Sequence, residues 1–309
     1  MPRTVPIPPE WQGVAFRTSD PHGLSRGRLR GADVRAPHRG IRVVGPEPDS
    51  VVDRCRQVVP ALPAGAVFCS VTAALLYRMP LPHNLDDDPR LHVTVAPGHQ
   101  PPRARSIVGH RYTLRRDLWA AGGLPVADPV EAWLQLASVL SREDLVAVGD
   151  FLVSGRVIPG GREPPLATIA DLRAAVEASP GIRGRRNLQW AASRVCTGVD
   201  SRPETHLRLL LIEHVLPNPV VNQTIYSASG SWLGTPDLAY PERMVLFEYE
   251  GDYHRTDART FRRDIARRER FEEHGWRVVR VTGDDLSGSR RAFIARARRI
   301  LGIRDSRAQ

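Results

Sequence analysis

The sequence has 309 residues, 41% of them hydrophobic, which is enough for two or three domains with buried cores. Its formal net charge of +10 comes from arginine without any lysine, and this balance favours a polyanionic partner. An arginine-only composition is also typical of GC-rich genomes, so the charge alone does not identify nucleic acid. The chain starts without a signal-peptide core and has no apolar run that could span a bilayer, so we expect a cytoplasmic protein with no membrane partner. Its three cysteines, Cys55, Cys69 and Cys196, are too few and too scattered for a disulfide framework or a zinc site.

Residues 1–50 are rich in proline, arginine and glycine and show weak periodicity. Two interpretations remain open for this segment. It is either a basic N-terminal arm without a fold of its own or the remnant of a small helix-turn-helix.

Residues 51–198 predict a mainly helical region with a small sheet. Residues 53–59 suit a helix, and a second helix begins with Ser70 as its cap and stops at Pro80. β-branched runs predict strands over 91–96 and 107–112. The pattern then predicts four more helices and one clear loop: a helix from Asp128-Pro129, helices over 142–153, 169–178 and 187–195, and the loop 159–165.

The C-terminal part, residues 199–309, carries the most informative residues. An amphipathic helix is predicted over 202–214, with Glu204 in its first turn. A carboxylate there either stabilises the helix N-terminus or reaches a neighbouring site. Two strands follow, one containing Asp237 and one over 245–250, joined by a turn at 241–243.

Three carboxylates meet in this predicted hairpin. Strand side chains alternate, so Glu248 and Glu250 point to one face, and an antiparallel pairing brings Asp237 beside them. Adjacent carboxylates repel and need a counter-charge, which Mg²⁺ or Mn²⁺ supplies together with water and phosphate oxygens. The sequence therefore predicts a metal site formed by Asp237, Glu248 and Glu250.

The residues that follow add basic and titratable groups. His254 falls just beyond the strand, where it is either a general base or a loop histidine without a role. A helix over 257–274 is rich in arginine, and it leads into a strand over 276–282. An acidic pocket rimmed by arginines suits a phosphodiester backbone. The arginines expected to contact DNA are Arg255, Arg262, Arg263 and Arg267.

The order of these elements, from about residue 200 to 301, resembles the domain family related to the very-short-patch-repair endonucleases, within the PD-(D/E)XK nuclease superfamily. The matching residues are Glu204, Asp237, Glu248-x-Glu250-Gly251, His254, Asp264-x-x-Arg267 and Gly275-Trp276. The resemblance implies a restriction-endonuclease-like mixed sheet flanked by helices and a catalytic set of Glu204, Asp237, Glu248, Glu250 and His254. The superfamily's lysine is replaced here by Glu250, which leaves its charge-stabilising role to His254 or an arginine.

The middle region, residues 51–198, resembles AbiEi-type antitoxin proteins through Ser70, Ala73, Ala74 and Leu76. An ordinary helix packed on a small sheet explains the same residues.

Taken with the C-terminal residues, the sequence predicts an α/β protein that hydrolyses DNA with a metal ion. The alternative is a non-catalytic DNA-binding antitoxin or transcriptional regulator that keeps the nuclease fold, and a third is a protein-interaction module. Homodimer formation and a toxin partner remain open.

Overall fold

The computed structural model describes residues 5–20, 23–102, 104–214, 216–251 and 258–303, without the side chains of residues 10, 120 and 258–264. The chain divides into two compact units, Met1–Ser138 and Val139–Gln309. The predicted division instead ran at residues 50 and 198. The helices predicted over 142–153, 169–178 and 187–195 therefore belong to the same unit as residues 199–309.

The first unit begins with a small antiparallel sheet rather than an arm or a helix-turn-helix. Its strands are β1 (Ala15–Arg17), β2 (Val34–Arg35) and β3 (Ile41–Val44), in the order β1-β3-β2. Phe16, Ile41 and Val43 are each 1% exposed. Burial of these three side chains explains why so proline-rich and arginine-rich a segment still has a fixed structure.

A five-stranded mixed sheet with helices completes the first unit. Its strand order is β6-β5-β4-β8-β7, and β5 pairs in parallel with β6. The elements are α1 (Val51–Val58), β4 (Val67–Phe68), α2 (Ser70–Leu76), α3 (His83–Asp86), β5 (Leu91–Val95), β6 (Ile107–Arg111), β7 (Trp119–Ala121), β8 (Leu124–Val126) and α4 (Pro129–Leu136).

The start of α2 differs from the prediction by one residue. Cys69 is the N-cap residue, and Ser70 has a positive φ of 48° inside the helix boundary. The backbone N–H of Ser70 donates to the side chain of Gln135 at 2.9 Å. A side chain distant in sequence thus provides the capping contact that the sequence assigned to Ser70.

The second unit starts with three helices and a short hairpin. Its elements are α5 (Arg142–Ser154), β9 (Val157–Ile158), β10 (Gly161–Arg162), α6 (Ile169–Glu177) and α7 (Arg185–Ala192). The hairpin β9–β10 lies partly within the segment that was predicted as a loop.

The rest of the second unit contains a four-stranded mixed sheet, in the order β11-β14-β15-β16, together with the two-stranded sheet β12-β13 and helices. β14 is antiparallel to β11 and β15, whereas β16 is parallel to β15. The elements are α8 (Arg202–Glu213), β11 (Val220–Val221), β12 (Ile225–Tyr226), β13 (Trp232–Gly234), β14 (Leu238–Tyr240), β15 (Val245–Tyr249), α9 (Ala258–Glu273), β16 (Arg277–Val281), α10 (Gly283–Ser287) and α11 (Arg290–Ile300).

Each face of this sheet is covered by helices. On one face, Phe247 of β15 packs with Leu207 of α8 and Phe293 of α11. On the other, Leu246 packs with Phe271 of α9. The predicted α/β class, with a mixed sheet flanked by helices, is confirmed.

A buried ion pair joins α5 to α8. Asp150 and Arg208 are 1% and 5% exposed, and a guanidinium nitrogen of Arg208 lies 2.8 Å from the carboxylate of Asp150. The same carboxylate accepts hydrogen bonds from the Thr205 hydroxyl and the Cys196 backbone N–H, both at 2.8 Å. The three donors offset part of the cost of burying the charge, while burial still raises the pKa of Asp150, and they fix the helix that carries Glu204.

Within the described part of the chain, no helix combines the length and the apolar character needed to cross a membrane.

Candidate acidic site

Asp237 and Glu248 face each other across the hairpin β14–β15. Leu238 pairs with Phe247, so one step further along this antiparallel register sets Asp237 opposite Glu248. Asp237 also accepts a hydrogen bond from the Tyr249 backbone N–H at 2.7 Å. The hairpin therefore brings together two of the three carboxylates that the sequence proposed as metal ligands.

The alternation of β15 sets the direction of its two glutamates. Leu246 lies in the core beneath α9, and Phe247 lies in the core on the α8 side. Because alternate residues share a face, Glu248 and Glu250 point to the α9 side. This direction puts both carboxylates next to the arginines of that helix.

Glu204 lies at the N-terminus of α8 and is 6% exposed. Its carboxylate accepts hydrogen bonds from the Asp200 backbone N–H at 3.0 Å, the Ser201 hydroxyl at 2.7 Å and the Asn222 side-chain amide at 2.7 Å. Asn222 in turn donates its backbone N–H to the Asp237 carbonyl at 3.0 Å. Glu204 thus both stabilises the start of its helix and connects through Asn222 to the strand of Asp237.

Burial and a neighbouring acid both raise the pKa of two of these carboxyl groups. Burial raises the pKa of Asp237 to about 6, and the neighbouring charge of Glu248 adds to this effect. Burial also raises the pKa of Glu204 to about 7, with a further contribution from Asp237. We call Glu204, Asp237 and Glu248 the acid row. For Asp237 and Glu204 burial is the larger cause and the neighbouring acid the smaller one, so each carboxyl group loses its proton less readily than a solvated one.

Arg267 of α9 supplies positive charge to the acid row. A guanidinium nitrogen lies 2.9 Å from the Glu248 carboxylate, and the other terminal nitrogen donates to the Thr235 carbonyl at 3.5 Å. The charge of Arg267 also acts to lower the pKa of Asp237, against the larger effect of burial. The sequence predicts Arg267 as a DNA contact and as part of the Asp264-x-x-Arg267 motif, and its guanidinium lies here beside the Glu248 carboxylate.

Glu250 lies among arginines instead of in the acid row. Its carboxylate forms an ion pair with Arg280 of β16 and lies 3.6 Å from Arg268 of α9. Two cations therefore already balance this acid.

The donor chemistry of Asp237 and Glu248 fits a hard divalent cation, because Mg²⁺ is bound through one or two carboxylates together with water and substrate oxygens. Glu248 already pairs with Arg267, so a cation bound there would share this carboxylate with the guanidinium. Among the described residues, no group of three or more His, Cys, Asp or Glu is arranged to hold a metal ion.

Several predicted site residues lie outside the described structure. These are His254 and Arg255, together with the side chains of Arg262, Arg263 and Asp264 in α9. The sequence pattern, conversely, does not single out Asn222. Its positive φ of 44° is the one local signal, and it is visible only in the fold.

Comparison with known proteins gives two relatives from Mycobacterium tuberculosis. They are "Uncharacterized protein MT2308" from strain CDC 1551 / Oshkosh and "Uncharacterized protein Rv2248" from strain ATCC 25618 / H37Rv. Each is 28% identical over 243 residues, which cover 76% of this chain and 81% of the relative. No family model matches the chain, and no solved structure matches it. The aligned stretch is longer than either compact unit, so the similarity to these mycobacterial proteins includes parts of both.

Proposed function

We propose that the chain is a metal-dependent endonuclease-like protein that hydrolyses phosphodiester bonds of DNA. The observation that carries this proposal is the acid row beside Arg267, in which the charge of Glu248 adds to the raised pKa of Asp237 and the charge of Asp237 adds to the raised pKa of Glu204. Carboxylates facing a polyanion weaken binding unless a cation lies between them. An acid row among arginines therefore favours chemistry on a phosphate over simple adhesion to it.

Each residue of the site has a distinct part in this proposal. Asp237 and Glu248 would hold Mg²⁺ or Mn²⁺. When bound there, the cation would polarise the scissile phosphate and lower the pKa of a water molecule. Glu204 keeps Asp237 in place through Asn222, and its own raised pKa lets it exchange a proton near neutral pH.

Arg267 takes the charge-stabilising role that a lysine has in the superfamily. It extends from α9 to Glu248, so its guanidinium lies beside the carboxylates that would face the phosphate. A guanidinium is planar, permanently charged and suited to two phosphate oxygens. Glu250, with its two arginines, would hold the edge of the site and keep Arg268 and Arg280 in place.

The order of elements around the site supports the same proposal. A helix carrying Glu204 precedes an antiparallel hairpin carrying Asp237 and Glu248, and a helix then leads to a parallel strand. This is the order expected from the resemblance to PD-(D/E)XK nucleases. The arginines of α9 and β16 on the same side would bind the backbone of DNA.

A second candidate is a DNA-binding regulator that keeps this fold without turnover. The observation that favours it is that both glutamates of β15 already form ion pairs, Glu248 with Arg267 and Glu250 with Arg280. If these pairs persisted in solution, they would compete with a cation for the carboxylates. Such a protein would bind DNA in a salt-dependent manner and leave it intact.

Incubation of the purified protein with supercoiled plasmid and with single-stranded DNA separates the two candidates. The reactions contain Mg²⁺ or Mn²⁺, with EDTA and the Glu248→Ala variant as controls. Metal-dependent cleavage that is lost in the variant supports the nuclease. Salt-dependent binding without cleavage selects the regulator, and no DNA affinity excludes both.

A further inference from the structure

A hairpin next to the acid row exposes two aromatic side chains. Strands β12 and β13 pair Ile225 with Gly234 and Tyr226 with Trp232, and a register shift lies between the two pairs. Tyr226 is 60% exposed and Trp232 is 53% exposed. Aromatic pairs of this size usually occur at binding surfaces when they are not in the core.

The other side of the hairpin is fixed against α9. Ile225 and Leu233 are 9% and 1% exposed and pack with Phe271. A Cβ atom on Gly234 would lie only 2.9 Å from the Phe271 ring, so the glycine permits this close approach. The two exposed rings therefore project from a hairpin that is fixed by its buried face.

Two arginines of α9 connect the hairpin to the acid row. Arg270 lies with its guanidinium carbon 5.0 Å from the centre of the Trp232 ring and donates to the Leu233 carbonyl at 3.3 Å. Arg267, three residues earlier, contacts Thr235 and Glu248. Residues three apart on a helix are neighbours, about 5–6 Å between Cβ atoms. Arg270 and Arg267 thus connect the Trp232 ring to the carboxylate of Glu248.

We infer that Tyr226 and Trp232 form a stacking platform for unpaired bases of DNA. The inference rests on the proposed function and adds a substrate class, namely DNA in which bases next to the cleaved phosphate are single-stranded or unstacked. An exposed aromatic ring accepts the face of any base, and duplex bases have those faces covered by their neighbours. Arg270 and Arg267 would hold the phosphates on either side of the stacked base.

Fluorescence anisotropy with labelled DNA tests the platform in the full-length protein. The probes are a single-stranded oligonucleotide of about 16 nucleotides, a length within the range bound by single-strand-binding sites, and a blunt duplex of the same sequence. EDTA prevents cleavage during the measurement. We expect Trp232→Ala to weaken single-strand binding by about tenfold and to leave duplex binding unchanged. Tyr226→Ala should show the same selectivity, and Trp232→Phe should keep most of the affinity because it keeps an aromatic face.

Trp119→Ala is the matched control, because Trp119 is 40% exposed in the first compact unit. Single-strand binding that is equal for wild type, Trp232→Ala and Tyr226→Ala would overturn the platform, as would an equal loss on both probes. Thermal unfolding of each variant shows whether a loss of DNA affinity comes from misfolding. If Trp232→Ala is misfolded, Trp232→Phe is used instead, and loss of single-strand affinity in this folded variant would overturn the platform. Wild-type protein that bound neither probe would overturn the proposed function together with the platform. Cleavage by wild type with unaltered binding by both aromatic variants would overturn the platform alone.

Discussion

Arg267 of α9 lies 2.9 Å from Glu248 of β15 and so places a permanent positive charge at the edge of the acid row. The exposed fractions of the two side chains are 30% and 14%, so the pair is accessible to a substrate without being fully solvated. In a chain without lysine, this contact is the structural basis for assigning phosphate stabilisation to an arginine. It also makes the site dependent on how α9, the helix that follows β15, packs against the sheet.

Removal of the Arg267 guanidinium should reduce cleavage strongly. We expect Arg267→Ala to lower the rate by about 10²–10³, the usual effect of deleting one charged donor aimed at a developing negative charge. Arg267→Lys should recover part of the rate because it restores a charge without the planar fork. Initial rates of plasmid nicking measure both effects, with the exposed Arg291→Ala as the control for general loss of positive charge. Equal rates for Arg267→Ala and Arg291→Ala would contradict this role.

The metal-free protein should lose stability as pH rises through the range where Asp237 ionises. Its pKa is raised from 3.8 to about 6 in the folded state, so folding favours the protonated form. The penalty is absent below the unfolded pKa, develops as pH rises above it, and is complete above about pH 6. We expect Asp237→Asn to remove the part of this dependence that comes from Asp237, to leave the part that comes from Glu204, and to raise the free energy of unfolding by on the order of 3 kcal/mol at about pH 8.

Urea unfolding in EDTA across this pH range measures the effect of Asp237→Asn. The exposed Glu242→Gln is a charge-matched control, because it removes one carboxylate from the turn between β14 and β15 without touching the acid row. If the free energies of unfolding of Asp237→Asn and wild type changed in parallel from acid to neutral pH, this effect of Asp237 would be contradicted.

Binding of Mg²⁺ should stabilise the folded chain through Asp237 and Glu248. At a Mg²⁺ concentration about ten times the Kd, ligand linkage predicts a gain of about 1.4 kcal/mol. For a unit of the size of Val139–Gln309, each kcal/mol of stabilisation raises Tm by roughly 2–4 °C. Asp237→Asn and Glu248→Gln should lose the shift, and Glu250→Gln should keep it because Glu250 is paired with Arg280. Thermal scans with and without Mg²⁺ at constant ionic strength test this order; loss of the shift only in Glu250→Gln would contradict it.

The Asp150–Arg208 pair should be one of the costliest places to mutate in the second unit. Arg208→Ala leaves the carboxylate of Asp150 buried with only the Thr205 and Cys196 donors, and breaking a buried pair in this way costs about 3–5 kcal/mol. Replacing both residues, as in Asp150→Leu with Arg208→Met, should cost less than Arg208→Ala alone because no unpaired charge remains. Urea midpoints compare the three proteins. An Arg208→Ala midpoint equal to that of wild type would contradict the assigned role.

Much of the second unit follows from local sequence patterns. The helix predicted over 142–153 is found as Arg142–Ser154, and the helix predicted over 202–214 is found as Arg202–Glu213. Both begin at a serine cap, Ser141 and Ser201, and carry regular apolar spacing, so capping and periodicity agree. The hairpin that pairs Leu238 with Phe247 also follows from its turn and its alternating residues.

Other features depend on contacts between distant residues. The strands of the sheet in residues 15–44 are two to four residues long, too short for a periodic signal. Whether Glu250 faces a metal or an arginine is decided by the parallel pairing of β15 with β16, which brings Arg280 alongside. The pairing of Glu248 with Arg267 depends likewise on how α9 packs against the sheet. No local pattern contains this information.

The most direct test of the central claim is the initial rate of plasmid nicking as a function of Mg²⁺ concentration for wild type, Glu248→Gln and Glu242→Gln. Both variants remove one carboxylate from the same hairpin, and only Glu248 belongs to the acid row. We predict saturable, Mg²⁺-dependent nicking by wild type and Glu242→Gln and its loss in Glu248→Gln, with DNA binding retained by all three. Nicking by Glu248→Gln at the wild-type rate, or DNA binding without nicking by wild type at any Mg²⁺ concentration, would contradict the claim.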